Sequence, residues 1–132
     1  MGTLKYLLDT HTLLWAVRGD AKLSDAARNI LMYTSDQVFV SAVSAYEIMY
    51  KYKIGKLQGF EDVAGNYIDV LKKFGANELS INTRHAHYAG ELDWEHRDPF
   101  DRLLVAQAHV DNLILITDDP YIKSQPLVVT LW

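Results

Sequence analysis

Carboxylates follow two apolar segments of the sequence at the point where each segment ends. Asp9 comes directly after "YLL", and "LILI" runs into Thr117, Asp118 and Asp119. Short, continuous apolar runs are typical of parallel strands buried on both faces, and ligands of such sheets lie beyond the carboxyl ends of the strands. Either acid alone is explained by helix capping. Acids at two strand ends, together with a further pair of acids, Asp98 and Asp101, favour a ligand-binding site.

A second pair of carboxylates lies in the stretch "HRDPFDRLLVAQA", residues 96–108. Asp98 suits the N-cap of a helix and Pro99 its first position, while Asp101 falls in the first turn near the positive end of the helix dipole. Capping and metal binding are compatible here, because the start of the helix fixes the place of the Asp101 carboxylate. For Asp98, capping and binding a metal through water both stay open.

Glu47 lies in the predicted helix "SAVSAYEIMYKYKI". A period of 3.6 residues places it on one stripe with Val43, Tyr50 and Ile54, and an ionised carboxylate buried on such a stripe is costly unless it is paired or bound to a metal. The opposite face, which includes Ile48, is also apolar, so which face packs inward and which meets a partner chain stays open. A surface glutamate, or a salt bridge to an arginine, is the alternative interpretation of Glu47.

The sequence predicts one acidic cluster made from four distant segments, by Asp9, Glu47, Asp101 and Asp119. Carboxylates brought close together repel each other unless a divalent cation neutralises them. Oxygen ligands in a chain without cysteine favour a hard ion, Mg²⁺ or Mn²⁺. Such a centre suits phosphodiester cleavage, because the metal activates a water and stabilises charge on the phosphate and the leaving oxygen.

Basic side chains lie next to these acids in the sequence. Arg102 is predicted to pair with Glu47 or Asp98 and so to order the acids, or else to hold a phosphate through its planar fork. Further neighbours are candidates for contacting phosphate or moving a proton, and otherwise form the wall of a pocket. These neighbours are His11, His96 and Arg97.

The segment "KYKIGK" is the best basic patch of the chain, with Lys51, Lys53 and Lys56. Tyrosines interleave with these lysines, and that combination can stack bases and follow a nucleic-acid backbone. The alternative is a solvated helix end, where cations are favoured by the dipole. The patch is therefore a candidate RNA contact.

Length and composition restrict the class of protein. The chain has 132 residues, of which 49% are hydrophobic and 23% charged, so we expect one folded domain spanning 1–132. The formal net charge of −4 is unlike that of duplex-DNA binders, so a nucleic-acid contact requires a local basic patch or a metal. The sequence has neither an apolar run of about 18 residues nor a charged-then-apolar leader, which predicts a cytoplasmic protein without a membrane span.

Strands that alternate with helices are predicted to position these residues. This alternation is typical of an α/β fold in which helices flank a short parallel sheet on both faces. The predicted strands are 5–8, 37–41, 78–81, 113–116 and, at an edge, 126–132; the predicted helices are 11–19, 25–33, 42–53, 60–75, 84–93 and 99–110.

Four motifs resemble those of the PIN-domain ribonucleases, in particular the VapC-like toxins of bacterial and archaeal toxin–antitoxin pairs. They are "LLDTHTLLW", "VSAVSAYEI", "HRDPFDRLLVAQA", which resembles the third motif of one subgroup, and "LITDDP". They occur in the order of the family and span nearly the whole chain. The residues at the acid positions are Asp9, Glu47, Asp101 and Asp119, with Thr10 and Thr117 at the hydroxyl positions.

This resemblance implies a PIN fold with one or two Mg²⁺ or Mn²⁺ ions held by the acids. It implies single-stranded or structured RNA as substrate, a homodimer, and an antitoxin whose tail fills the active-site groove. The sequence departs from the pattern through two extra acids, Asp98 and Asp118. The ligand set therefore stays open: Asp98 is a possible further ligand, and Asp118 is expected at the surface or behind a ligand.

Two other functions compete with this hypothesis. A non-catalytic PIN-fold module would bind RNA or a protein partner, and the intact acids argue against it. A phosphohydrolase of the haloacid-dehalogenase type needs Asp-x-Asp after the first strand, where this chain has His11 in "DTH". The acids in PIN order favour a metal-dependent endoribonuclease.

Overall fold

The computed structural model describes residues 3–132, and a five-stranded parallel sheet forms the middle of the fold. The strands are β1 (Tyr6–Leu8), β2 (Val38–Ser41), β3 (Asn77–Leu79), β4 (Ile114–Ile116) and β5 (Thr130–Leu131), in the spatial order β3-β2-β1-β4-β5. The helices are α1 (Thr10–Arg18), α2 (Asp25–Tyr33), α3 (Ala42–Lys53), α4 (Glu61–Gly65), α5 (Tyr67–Phe74), α6 (Thr83–Glu91), α7 (Pro99–Val110) and α8 (Pro120–Lys123). A turn of 3₁₀ helix, Ser35–Gln37, precedes β2.

Successive residues of the central strands enter two hydrophobic cores, one on each face of the sheet. Leu8 and Ile116 pack in one core, which also contains Leu13 of α1. Leu7 packs in the other core against Leu104 of α7. Alternate side chains of a strand point to opposite faces, so a strand covered on both faces is apolar throughout. The predicted α/β fold with a helix-flanked parallel sheet is confirmed.

The register of the sheet brings the ends of three strands to the same level. Leu8 of β1 pairs with Val40 of β2 on one side and with Ile116 of β4 on the other. The residues that follow these pairs therefore leave the sheet at one edge. That edge carries Asp9, the start of α3 and Thr117.

The long helix predicted over 60–75 is wrong, because the structure has two helices there. The break falls at Asn66, whose φ of −130° and ψ of 30° are not helical. Its side-chain amide donates to the carbonyl of Asp62 at 3.1 Å. Glycine and asparagine are both weak helix formers, and an asparagine side chain competes for backbone groups. The pair Gly65–Asn66 therefore divides the segment.

The edge strands are shorter than predicted, while the helices that carry the site have the predicted bounds. Only Thr130–Leu131 of the segment 126–132 forms a strand, and β3 begins one residue before the prediction and ends at Leu79. The predictions 42–53 and 99–110 are confirmed by α3 and α7. Within residues 3–132, none of the helices combines the length and the apolar character that crossing a bilayer requires.

Candidate active site

Asp9 is the first residue after β1 and caps helix α1. One carboxylate oxygen accepts from the backbone N–H of Thr12 at 2.7 Å, and the other accepts from the Thr117 hydroxyl. Only 6% of Asp9 is exposed. Burial raises the pKa of this carboxyl, and the hydrogen bonds from Thr117 and Thr12 oppose that effect. Asp9 is thus a buried acid that is fixed in one orientation.

Thr117 connects Asp9 with the acid that follows β4. Its hydroxyl donates to Asp9 and accepts from the backbone N–H of Asp119 at 3.0 Å. The Asp119 carboxylate caps the short helix α8 by accepting from the N–H of Tyr121 at 2.8 Å. A cavity of about 160 Å³ opens between the two acids. Its lining is Asp9, His11, Trp15, Asp118, Asp119 and Pro120.

Glu47 is buried in α3 beside the same edge, with 4% of its surface exposed. The alternatives of a surface glutamate and of an arginine salt bridge are wrong, because its partner is Lys51, one helical turn further on. Burial lowers the pKa of Lys51, but the hydrogen bond to Glu47 and the charges of Glu47, Asp98 and Asp101 outweigh it and raise the pKa. Lys51 therefore lies within the field of three acids.

Asp98, Asp101 and His96 form the tightest group of candidate ligands. One ligand atom from each of these three side chains lies within 4.8 Å of the other two. Asp98 caps α7, as predicted, by accepting from the N–H groups of Phe100 at 2.9 Å and Asp101 at 3.3 Å. Nε2 of His96 lies 2.7 Å from a carboxylate oxygen of Asp101. Among residues 3–132, the four acids predicted to cluster do not themselves form so tight a group.

The electrostatics of Asp101 connect this group with the other acids. Its pKa is raised to about 7, first by burial and then by the charges of Asp98, Asp119 and Glu47, against the hydrogen bond from His96. Acids from α3, α7 and the end of β4 therefore act on one carboxyl. Carboxylates that disfavour each other's ionisation and offer hard oxygen donors fit a divalent cation. The carboxylate donors match Mg²⁺ or Mn²⁺, while Nε2 of His96 contacts Asp101.

The geometry agrees with the comparison to known families. The PIN domain family model matches residues 6–126 of the chain. The chain belongs to the PIN domain family. PIN domains are generally nucleases.

Solved structures with the same fold cover almost all of this PIN domain. They include DNA-bound VapBC from Salmonella typhimurium (TM-score 0.72, 17% identity, 98% of this chain and 98% of that chain). VapBC2 from Rickettsia felis, bound to a DNA fragment from its promoter, has a TM-score of 0.71 at 18% identity (97% and 98% covered). A toxin–antitoxin complex from Klebsiella pneumoniae has a TM-score of 0.61 at 22% identity (96% and 97% covered). These likenesses show the fold, and no curated protein matches the chain by sequence.

Arg102 of the PIN domain does not form the predicted ion pair with Glu47 or Asp98. Its guanidinium donates to the backbone carbonyls of Ala89, Leu92, Trp94 and His96, at distances from 2.6 to 3.1 Å. Among the described residues, no salt bridge joins it to Glu47 or Asp98. Its planar guanidinium group instead holds the segment between α6 and α7 in place. Arg102 orders the site by fixing the backbone that carries His96.

The other predicted residues divide into buried supports and surface groups. The hydroxyl of Thr10 lies 3.0 Å from that of Ser44, and both side chains are buried between α1 and α3. Asp118 is at the surface, where Lys123 reaches it at 3.4 Å. Of the predicted RNA contacts, Lys51 pairs with Glu47, whereas the remaining three are exposed. The exposed ones are Lys53, Lys56 and Arg97.

Sequence reasoning missed Tyr121 as part of the site. Its ring stacks on His96 with centroids 4.7 Å apart and planes tilted by 3°. His96 was a candidate because it flanks the third motif, but no spacing relates it to a residue on α8. The two rings stack because α8, which follows β4, lies beside the start of α7. This arrangement depends on the order of the strands in the sheet, which local sequence patterns do not reveal.

Proposed function

We propose that this PIN domain, taken as one domain over 1–132, is an endoribonuclease that requires Mg²⁺ or Mn²⁺. One observation carries the proposal: Asp9 and Asp119 follow neighbouring strands at one edge of the parallel sheet, and the charges of Asp119, Glu47 and Asp98 act on Asp101. Such a set of buried acids lowers stability unless it serves a ligand. RNA is proposed as the substrate because the four motifs resemble those of PIN ribonucleases.

The residues that would hold the cation are the carboxylates of the site: Asp9, Glu47, Asp101, Asp119 and, as a further ligand, Asp98. A divalent cation there supplies a water activated for attack and offsets charge on the phosphate and the leaving oxygen. Among the described residues, hydroxyl groups support the acids. Thr117 donates to Asp9, which stabilises the ionised form of this carboxylate against burial.

His96 and Lys51 position two of these acids. His96 lies within hydrogen-bond distance of Asp101 and fixes the direction of that carboxylate. Lys51 pairs with Glu47 and lies within the charge field of Asp98 and Asp101. Its ammonium group is therefore placed to meet a phosphate that approaches the acids. The exposed cations Lys53, Lys56 and Arg97 are proposed to contact the RNA backbone further away.

We propose that the protein is the toxin of a VapC-like toxin–antitoxin pair. The similar solved structures are VapBC and toxin–antitoxin complexes, and the likeness covers almost the whole chain. Helix α3 presents large apolar side chains to solvent, including Tyr46 at 66% and Tyr50 at 47% exposure. Exposed apolar groups in one area mark contact surfaces. An antitoxin and a second copy of the chain are the proposed partners.

Cleavage of RNA tests the enzymatic proposal. Purified protein is incubated with total cellular RNA and with a panel of structured and unstructured RNAs, in Mg²⁺, in Mn²⁺ and in EDTA. We expect cleavage that requires the metal and that Asp9→Asn abolishes, while Asp25→Asn, a fully exposed acid on α2, retains it. Cleavage that persists in EDTA or in Asp9→Asn would contradict the proposal, as would intact RNA under every condition.

Expression in bacterial cells tests the toxin proposal. The wild type is expected to arrest growth, and Asp9→Asn is expected to leave growth unchanged. Co-expression of a small protein encoded beside the gene should restore growth and give a complex that purifies as one species. Normal growth with an active, well-expressed wild type would contradict the toxin role and leave the nuclease role standing.

A further inference from the structure

A cavity lies beside the acids and has no role in the mechanism above. Its volume is about 730 Å³, within the range of small-ligand sites, about 300–1,000 Å³. It touches the acidic site through His96, which lies 2.7 Å from Asp101, and through Tyr121, which follows Asp119 by two residues. Its lining is Asp93, Trp94, Glu95, His96, Arg97, Tyr121, Ser124, Gln125 and Pro126.

Aromatic rings give one side of this cavity a stacking surface. His96 covers one face of Tyr121, with planes only 3° apart, yet 61% of Tyr121 is still exposed. The centroid of the Trp94 ring lies 5.0 Å from that of His96, with the two planes 54° apart. A ring backed by a second ring and open on its other face is a rigid platform for a planar ligand. Nucleobases stack on such platforms whatever their sequence.

Gln125 gives the cavity a fixed hydrogen-bond donor. The residue is only 7% exposed, and its Oε1 accepts from the backbone N–H of Leu127 at 3.1 Å. Its Nε2 has no acceptor anywhere in the described chain. Because Oε1 is held by the backbone, the amide cannot rotate without losing that bond. This N–H is therefore free to donate to an acceptor on a ligand in the cavity.

Charge around the cavity selects the part of a nucleotide that enters it. Two exposed acids, Asp93 and Glu95, face one exposed cation, Arg97. This excess of negative charge repels a phosphate, and Arg97 alone does not balance it. A polar but uncharged planar group is the occupant that fits both the platform and the free donor.

We propose that this cavity binds the nucleobase next to the scissile phosphate, with the base stacked on Tyr121 and a base acceptor on Nε2 of Gln125. The inference rests on the proposed ribonuclease function and assigns it a base-reading site. Uracil, cytosine and guanine each offer a carbonyl oxygen to this donor, and adenine offers ring nitrogens, which also accept hydrogen bonds. These acceptors lie at different places on the base edge, so a donor held in one place favours some bases over others at one position beside the cut.

Sequencing the cleavage products of a randomised RNA pool tests this base preference. We expect the wild type to show a base preference of about fivefold or more at one position, the range of one net hydrogen bond. Gln125→Glu keeps the oxygen that accepts from Leu127 but replaces the donor by an acceptor. It is expected to shift the preference at that position toward bases with an amino group. Gln58→Glu, an exposed glutamine on the loop after α3, provides the same charge change and should give the wild-type profile.

Binding without turnover separates this inference from the nuclease proposal. Affinities for oligo(A), oligo(C), oligo(G) and oligo(U) are measured by fluorescence anisotropy with the Asp9→Asn protein, whose altered acid lies outside the cavity. Adding Tyr121→Leu is expected to weaken binding roughly fivefold or more through lost stacking, and adding Tyr121→Phe is expected to retain it. The Mn²⁺ affinity of each variant shows whether the loss arises from a disturbed His96 instead.

The outcomes distinguish the two proposals. Discrimination between the oligonucleotides that depends on Gln125, in a protein that cuts no RNA, would support the base site and reject the nuclease. Metal-dependent cleavage with the same base profile in the wild type and Gln125→Glu would overturn the base site and leave the nuclease standing. RNA binding unaffected by Gln125→Glu and Tyr121→Leu, together with weakened antitoxin binding, would assign the cavity to a peptide and overturn the inference.

Discussion

Thr117 donates its hydroxyl hydrogen to the buried carboxylate of Asp9 and accepts the backbone N–H of Asp119 at 3.0 Å. One small side chain thus ties together the acids that follow two neighbouring strands. The contact is possible because Leu8 and Ile116 are partners in the sheet, which brings the next residues to the same level. The hydroxyl of the fourth motif is therefore a support for the acid of the first.

Replacing Thr117 tests this support. Thr117→Val removes both hydrogen bonds at nearly the same volume, so the pKa of Asp9 is expected to rise further. We expect Mn²⁺ affinity to fall about 10- to 100-fold, as for other supports of metal ligands, and the free energy of unfolding to fall by about 1–3 kcal/mol. Calorimetry measures the Mn²⁺ affinity, and urea unfolding measures the free energy of unfolding. Thr117→Ser, which keeps the hydroxyl, should stay near the wild type, and an unchanged Thr117→Val would show that the hydroxyl supports nothing.

The raised pKa of Asp101 predicts how the stability of the metal-free protein depends on pH. Its pKa rises from 3.8 to about 7, so the protonated form is favoured in the folded state. The stability that this group contributes is fully present below pH 3.8 and is lost as pH rises through about 7. Between these two values the free energy of unfolding falls by at most about 1.4 kcal/mol for each pH step of one. Urea unfolding in EDTA at pH 5 and pH 8 should show this loss.

The variant Asp101→Asn isolates that contribution. It cannot ionise, so its unfolding free energy in EDTA should fall less between pH 5 and pH 8 than that of the wild type. Without metal, we expect Asp101→Asn to be the more stable of the two proteins at pH 8. Saturating Mn²⁺ should make the wild type the more stable one, because only the wild type retains the full set of acids. Parallel pH profiles of the two proteins would place the destabilising charge on another residue.

Arg102 is predicted to be a structural residue that lysine cannot replace. Its guanidinium serves one carbonyl of α6 and three carbonyls of the segment between α6 and α7, and an ammonium group cannot reach them all. Arg102→Lys is expected to lower the free energy of unfolding by about 2–3 kcal/mol. Arg97→Lys, on an exposed arginine, should change it by less than about 0.5 kcal/mol. Equal stability of both variants in urea unfolding would reject this role.

Tyr67 carries a buried hydroxyl that has no hydrogen-bond partner in residues 3–132. Burial, and secondarily the charge of Glu78, raises the pKa of this phenol to about 12. Removing an unsatisfied buried polar group is neutral or stabilising, so Tyr67→Phe is expected to leave the unfolding free energy unchanged or raise it by up to about 1 kcal/mol. Tyr33→Phe, on an exposed tyrosine, is the control. A clear loss of stability in Tyr67→Phe alone would reveal a partner for the hydroxyl.

Local signals predicted the parts of the fold that carry the site. Apolar runs located β1 and β4, because both faces of these strands are covered. The sequence Asp98-Pro99 located the start of α7, because Asp98 is a good N-cap and proline fits the first position of a helix. The same local rules placed Asp101 in the first turn, where the structure has it.

Contacts between distant segments were beyond those rules. Arg102 binds carbonyls that no charge pattern reveals, so an ion pair was predicted in its place. Lys51 and Glu47 are one helical turn apart, but their pairing depends on the burial of Glu47, which two apolar faces of α3 left open. The cavity beside the acids is lined by His96 and Tyr121, whose stacking depends on how β4 and α8 lie beside α7.

Mn²⁺ binding measured by calorimetry tests the shared metal centre most directly. The proposed centre draws ligands from separate segments, so Asp9→Asn and Asp101→Asn should each lower the affinity about tenfold or more. Asp25→Asn, whose side chain is 98% exposed on α2, should bind as the wild type does. If Asp9→Asn binds Mn²⁺ as tightly as the wild type, the acids at the ends of the strands do not form one metal site.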